Sequence, residues 1–153
     1  MINLPIQYEN RMKILLGDEF EQYKKALEEE PVKAFRVNTD KISLEDFEKI
    51  NPFKSEKIPY VENGFYLYDE KTGNHPFHHA GMIYIQEPGA MMPAECVDIE
   101  GNWKILDMCA APGGKSTQLK NKLDENGLLV SNEIISSRCK ILTGNIERLG
   151  LKN

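Results

Sequence analysis

The sequence predicts an α/β protein, with a small α+β region over residues 1–100 and the first half of a doubly wound domain over residues 101–153. From residue 104 onward, apolar runs alternate with helix-like segments, which is typical of a parallel sheet covered by helices. Before that point the elements are short, and prolines and glycines punctuate them. We therefore place the domain boundary near residue 100.

Two helices are predicted at the start of the chain. Apolar residues recur at helical spacing through residues 5–29, and Gly17 interrupts the pattern. Asp18 is placed to cap the second helix, because a side-chain oxygen at that position accepts a free backbone N–H group. Pro31, which cannot continue a helix, marks its end.

Short elements are predicted between this helix pair and residue 100. Ser43 can cap a short helix, in which Leu44, Phe47 and Ile50 lie on the buried face. Pro88 opens another helix, since a proline in the first turn loses no intrahelical hydrogen bond. Runs rich in Phe, Tyr, Val and Ile predict strands at 33–38, 65–68 and 83–85.

Strand and helix alternate after residue 100. Strands are predicted at 104–108 and 128–133, and helices at 115–124 and 136–149, with Gly150 ending the last helix. Right-handed crossovers would make the two strands parallel. Because the first of these strands would have an open edge, we expect the chain to be the N-terminal portion of a longer enzyme.

The stretch KILDMCAAPGGKS, residues 104–116, reads as a strand, a tight loop and the start of a helix. Glycines let a backbone approach a ligand closely, and free N–H groups at a helix start favour a negative group. A phosphate-binding P-loop fits residues 114–116. It would need a glycine where Cys109 stands, however, and Pro112 removes an N–H group from the loop.

The alternative ligand for this loop contains an adenosyl group. In the corresponding doubly wound folds, an acid at the end of the next strand, about 20 residues on, binds the ribose hydroxyls. Glu133 ends the run 128–133 and has this spacing. Alone it fits a solvated acid at a helix start, but together with the loop it favours the ribose role.

These residues, with others upstream, resemble a known family. CAAPGGKS, followed by SNE, an arginine, an asparagine and RLG, resembles the Sun-type RNA cytosine-C5 methyltransferases. FRVNTDK resembles that family's RVNT segment, and YIQEPGAMMPAE its YxQxPSAM segment, with Gly89 in place of the usual serine. The upstream segments are most similar to the bacterial RsmF-like branch, and the resemblance covers nearly the whole chain.

The resemblance implies a Rossmann-like methyltransferase domain that uses S-adenosyl-L-methionine, with RNA, and ribosomal RNA in particular, as substrate. Residues 1–100 would form the RNA-facing domain of the family. Glu133 would bind the ribose hydroxyls of the cofactor. The remaining cofactor-binding residues implied are Cys109, Ala110, Ala111, Pro112, Gly113, Gly114 and Lys115. Arg138, Asn145, Arg148 and Gly150 match family positions with structural roles.

The family's chemistry requires a cysteine thiolate that adds to carbon 6 of cytosine. In the family this thiol lies in a Thr-Cys-Ser segment and a second cysteine in Asp-Ala-Pro-Cys-Ser, and neither segment occurs in this sequence. Cys96 and Cys139 have apolar neighbours, which is typical of core packing, and Cys109 lies in the loop. We therefore expect no catalytic residue here, and no activity without the remainder of the methyltransferase domain.

The composition of the chain bears on whether it spans a membrane, forms disulfides, binds zinc or binds nucleic acid. The longest apolar runs fall short of the roughly 20 residues that span a membrane, so we expect no membrane segment. Three cysteines are too few for a disulfide framework, and this favours a location in the cytoplasm. The spacing of the histidines fits no common zinc-binding pattern. A net charge of −5 does not by itself indicate nucleic-acid binding. A non-catalytic RNA- or cofactor-binding module is therefore the rival interpretation.

Overall fold

Two helices form the first compact unit, Met1–Pro31, of the computed structural model, which describes residues 3–69 and 71–152. Helix α1 spans Ile6–Leu16 and α2 spans Phe20–Glu28, with the 3₁₀ turn Gly17–Glu19 between them. Gly17 has a φ of 53°, a conformation that favours glycine, and ends α1 as predicted. The predicted cap is wrong, because the N-cap position of α2 is Glu19 and Asp18 lies within the turn.

A four-stranded antiparallel sheet begins the second unit, Val32–Asn153, with the strand order β2-β3-β1-β4. Its strands are β1 (Lys33–Val37), β2 (Ser55–Lys57), β3 (Gly64–Leu67) and β4 (Ile83–Ile85). Helices α3 (Leu44–Ile50), α4 (Pro76–His79) and α5 (Pro88–Glu95) accompany the sheet. The three predicted strands are confirmed. Sequence reasoning missed β2, because a polar strand at the edge of a sheet has no apolar pattern.

Apolar side chains cover both faces of this sheet. One face carries a largely aromatic core formed by Phe35, Val37, Phe47, Phe65, Leu67 and Ile83. The other face carries Ala34, Ile58, Val61 and Met91, and α5 contributes the methionine. Because side chains alternate along a strand, β1 directs Phe35 and Val37 to the first face and Ala34 and Arg36 to the second.

Helix α3 begins at the predicted cap. The Oγ of Ser43 accepts the N–H group of Asp46 at 3.1 Å, and Phe47 is fully buried, as expected. The prediction for Ile50 is wrong, because this last residue of α3 is 50% exposed. Helix α3 thus packs on the sheet through the buried Phe47 and the partly buried Leu44.

Two parallel strands, β5 (Lys104–Asp107) and β6 (Leu128–Ser131), form a second sheet. Helix α6 (Gly114–Asn121) follows β5, and α7 (Ser136–Leu149) follows β6 and ends at Gly150, which has a φ of 68°. The predicted alternation, and with it the α/β fold class, is confirmed. In the part of the chain that is described, no helix is both long and apolar enough to cross a bilayer.

Hydrogen bonds join the first sheet to the last helices. The buried amide of Asn38 donates to the carbonyl oxygens of Gly81 and Leu149, at 2.9 Å each, and accepts from Asn121 at 3.2 Å. Arg148 donates to carbonyl groups in α4 and β4. Residues 32–153 therefore share one connected interior, and the domain boundary near residue 100 stays a prediction.

Gly81 and Gly144 offer a matched test of this packing. A Cβ atom on Gly81 would lie 2.1 Å from the carbonyl oxygen of Arg148, at a φ of 69°, whereas one on Gly144 would meet nothing within 4 Å. We expect Gly81→Ala to lower the free energy of unfolding by about 2 kcal/mol or more. Gly144→Ala, inside α7, should raise it by about 0.5–1 kcal/mol. Urea denaturation measures both, and a neutral Gly81→Ala would contradict the packing described.

Candidate functional site

The loop between β5 and α6 is closed by the acid that ends β5. One oxygen of Asp107, Oδ2, accepts the hydroxyl of Ser116 at 2.7 Å, and the other, Oδ1, accepts the N–H group of Cys109 at 3.2 Å. One carboxylate thus ties the first residues of the loop to the first turn of α6. These two hydrogen bonds limit how far the loop can move away from α6.

Gly113 is required by its conformation and by its neighbour. Its φ is 113°, and a Cβ atom there would lie 3.1 Å from Cδ1 of Leu142 in α7. At Gly114 a Cβ atom would lie 3.2 Å from the side-chain amide of Gln86. The two glycines therefore let the loop pack tightly between α7 and the β4–α5 connection, a packing role that the sequence reasoning did not consider.

Three carbonyl groups of the loop are held from outside it. Arg138 donates to the carbonyl oxygen of Ala111, Asn145 to that of Pro112, and Arg36 to that of Gly114, each at 2.8 Å. The peptide bond that precedes Pro112 is cis. With these carbonyl groups fixed, the first N–H groups of α6, which have no intrahelical acceptor, also have fixed positions.

Arg36 lies behind the loop, in the interior. It is 2% exposed, and it donates to Oε1 of Gln86 at 3.0 Å and to Oγ1 of Thr117 at 2.9 Å. Its guanidinium carbon lies 5.6 Å from the centre of the Tyr84 ring. Burial lowers the pKa of Arg36 to about 10, which leaves the side chain protonated at neutral pH.

Glu133 follows β6, and its side chain is 4% exposed. Oε1 accepts the N–H group of Ile135 at 2.9 Å. Oε2 lies 3.2 Å from Nη1 of Arg138, an ion-pair contact without hydrogen-bond geometry, so within residues 3–69 and 71–152 this buried oxygen has no hydrogen-bond partner. An unsatisfied buried acceptor destabilises the fold, and a ligand hydroxyl would satisfy it if the Arg138 side chain moved to admit the ligand.

Arg138 links the acid to the loop. Its Nη1 contacts Glu133, and its Nη2 donates to the carbonyl oxygen of Ala111. The structure therefore brings together the loop and the acid that sequence spacing had paired. Arg138 and Asn145, which were expected to be structural, hold the loop in place.

A cleft of about 260 Å³ lies between the loop and the β4–α5 connection. The loop side contributes Cys109, Ala110, Ala111, Pro112, Gly114 and Lys115, and the other side contributes Tyr84, Ile85, Gln86, Glu87 and Ala90. Sequence reasoning did not single out Arg36, Tyr84 or Glu87. One feature of the sequence could have indicated Arg36: it is a charged residue within a predicted strand, between two apolar residues that lie in the core.

The three cysteines are free and exposed. The interpretation of Cys96 and Cys139 as core residues is therefore wrong, because Cys96 is exposed directly after the end of α5 and Cys139 is exposed on α7, in spite of their apolar neighbours in sequence. Cys109 lines the cleft. Among the described residues, no group of three His, Cys, Asp or Glu side chains is arranged to hold a metal ion.

Comparison with known protein families gives two matches that together span most of the chain. Residues 4–88 match the N-terminal domain of 16S rRNA methyltransferase RsmF, and residues 94–153 match 16S rRNA methyltransferase RsmB/F. Both matches agree with the resemblance inferred from the motifs.

Individual proteins give the same result. The chain is 41% identical to the ribosomal RNA small subunit methyltransferase F of Vibrio atlanticus over 130 residues, and 42% identical to that of Vibrio cholerae over 133 residues. Each alignment covers 79% of this chain, which spans 28% of the length of either relative.

Among solved structures, a methyltransferase homolog protein from Pyrococcus horikoshii superimposes with a TM-score of 0.87 at 30% identity. The match covers 99% of this chain and 51% of that one. Its fold agrees with the α/β architecture described above. From the family matches, the sequence identities and this fold, we conclude that the chain belongs to the RsmF family of 16S rRNA methyltransferases.

Proposed function

We propose that this chain carries the cofactor-binding part of an S-adenosyl-L-methionine-dependent methyltransferase that modifies carbon 5 of cytosine in ribosomal RNA. Family membership supports the activity and the substrate, since the relatives are named as ribosomal RNA small subunit methyltransferases. Residues 1–100 are the proposed RNA-facing domain, and residues 101–153 begin the methyltransferase domain. The remainder of that domain is the proposed intramolecular partner, and the cytoplasm the proposed location.

The observation that carries the proposal is the unsatisfied carboxylate oxygen of Glu133 beside the loop. A ribose hydroxyl donates a hydrogen bond of the kind that Oε2 lacks. The residues present therefore fit an adenosyl ligand, and the bound cofactor would supply the methyl group. Glu133 would hold the ribose, and residues 109–115 would hold the methionine portion.

Hydrogen bonds from the chain itself position the loop. Its carbonyl groups accept hydrogen bonds from Arg36, Arg138 and Asn145, and Asp107 fixes its first residues and the start of α6. A loop that is already held in one conformation loses little conformational entropy when a ligand binds to it. The role of these side chains is to position the backbone, so that the first N–H groups of α6 meet the ligand in a fixed orientation.

Methylation at carbon 5 requires a thiolate with an adjacent base. Cys96, Cys109 and Cys139 are solvent-exposed and lie on three different segments. We infer that none of them performs this step. The chain on its own should bind cofactor without transferring the methyl group.

Cofactor binding is tested by calorimetry with S-adenosylhomocysteine. We expect micromolar binding by the chain, weakened at least about tenfold by Glu133→Ala, because a charged acceptor for the ribose is lost. Glu125→Ala removes an exposed acid in the turn before β6 and is the matched control, which should bind as the unaltered chain does. Absence of binding by the unaltered chain would contradict the proposal.

Methyl transfer is tested with radiolabelled S-adenosyl-L-methionine and small-subunit ribosomal RNA. The chain alone should give no label in the RNA. A polypeptide that extends this chain with the remaining part of the methyltransferase domain should place the label on carbon 5 of cytosine, identified by nucleoside chromatography. Label from the chain alone would refute the assignment of the three thiols, and label on any other atom would refute the proposed reaction.

A further inference from the structure

Glu87 faces the cleft from the side opposite the loop, and no role in the site has so far been assigned to it. We propose that its carboxylate accepts the α-ammonium group at the amino-acid end of the cofactor. This inference rests on the proposed function, because it assigns a further binding residue for the same ligand. It extends the site from the loop to the β4–α5 connection.

The carboxylate of Glu87 is held in one orientation. Oε1 accepts the N–H group of Gly89 at 2.8 Å, and Oε2 accepts that of Ala90 at 2.7 Å, so that Glu87 caps α5. An ionised carboxylate offers about four lone-pair sites, and these two bonds use about half of them. The residue is exposed, and its remaining acceptor capacity is accessible from the cleft.

Gly89 keeps this carboxylate uncovered. A Cβ atom at that position would lie 3.2 Å from both oxygens of Glu87, a distance at which one group must move. A larger side chain at this position would therefore crowd the carboxylate.

The charges of the cleft match a zwitterion. Glu87 and Lys115 are its two charged lining residues and come from opposite sides, while alanine, proline and isoleucine contribute apolar surface. Gln86 is already engaged, since Oε1 accepts from Arg36 at 3.0 Å and Nε2 donates to the carbonyl oxygen of Ala90 at 2.9 Å. An amino-acid group has one ammonium for Glu87 and one carboxylate for Lys115, joined by a short aliphatic stem.

The test compares two ligands that differ at this end. S-adenosylhomocysteine has the amino-acid group, and 5′-methylthioadenosine has the same adenosine and thioether without it. We expect Glu87→Gln to weaken S-adenosylhomocysteine binding about tenfold, because a charge-assisted hydrogen bond becomes a neutral one. Binding of 5′-methylthioadenosine should change by less than about twofold. Ser43→Ala, which removes the cap of α3 away from the cleft, should change neither affinity.

The possible results distinguish failure of the proposed function from failure of the role proposed for Glu87. If the unaltered chain does not bind S-adenosylhomocysteine, the proposed function fails and this inference with it. If it binds but Glu87→Gln weakens both ligands equally, Glu87 acts only as a helix cap and the inference is overturned. An unchanged affinity for S-adenosylhomocysteine also overturns it, and selective loss of cytidine monophosphate binding would then assign the carboxylate to the target base.

Discussion

The rest of the second unit depends on the hydrogen bonds that the buried guanidinium group of Arg36 donates. Moving a charge from water into an interior costs several kcal/mol, and hydrogen bonds must offset this cost. Here the acceptors are neutral: the side chains of Gln86 and Thr117 and the carbonyl group of Gly114. One side chain of β1 thus holds the β4–α5 connection and the start of α6 together. Its loss would remove a donor from the side-chain oxygens of Gln86 and Thr117, while the carbonyl group of Gly114 would keep the Thr117 hydroxyl as a donor.

Local patterns in the sequence predicted the elements well, because the physics that forms them is local. The cap at Ser43, the glycine at the end of α7 and the alternation of strands with helices each depend on residues a few positions apart. Local patterns also failed at the Asp18 cap and at Ile50, and contacts between residues far apart in sequence were not predicted. Arg36 meets Gly114 and Thr117 across 78 and 81 positions, and no periodicity marks such a contact.

In the candidate site, too, the sequence indicated some features and not others. Glu133 could be proposed as a site residue because the spacing from a loop to the next strand end is a property of the fold. The anchoring of the loop carbonyl groups by Arg138 and Asn145 was not found, because it depends on how α7 crosses the loop. The exposed thiols of Cys96 and Cys139 show the same limit, since apolar neighbours in sequence do not determine whether a side chain is covered.

The loop is therefore a meeting point of separate elements rather than a self-contained motif. Its carbonyl groups are held by β1 and α7, its first residues and the start of α6 are joined by Asp107, and α7 is itself joined to the first sheet through Asn38 and Arg148. A ligand that binds only the folded state stabilises every element that unfolds with its site. Because these hydrogen bonds connect the loop to both sheets, the free energy of binding a ligand at this loop would be shared by the interior of the whole second unit.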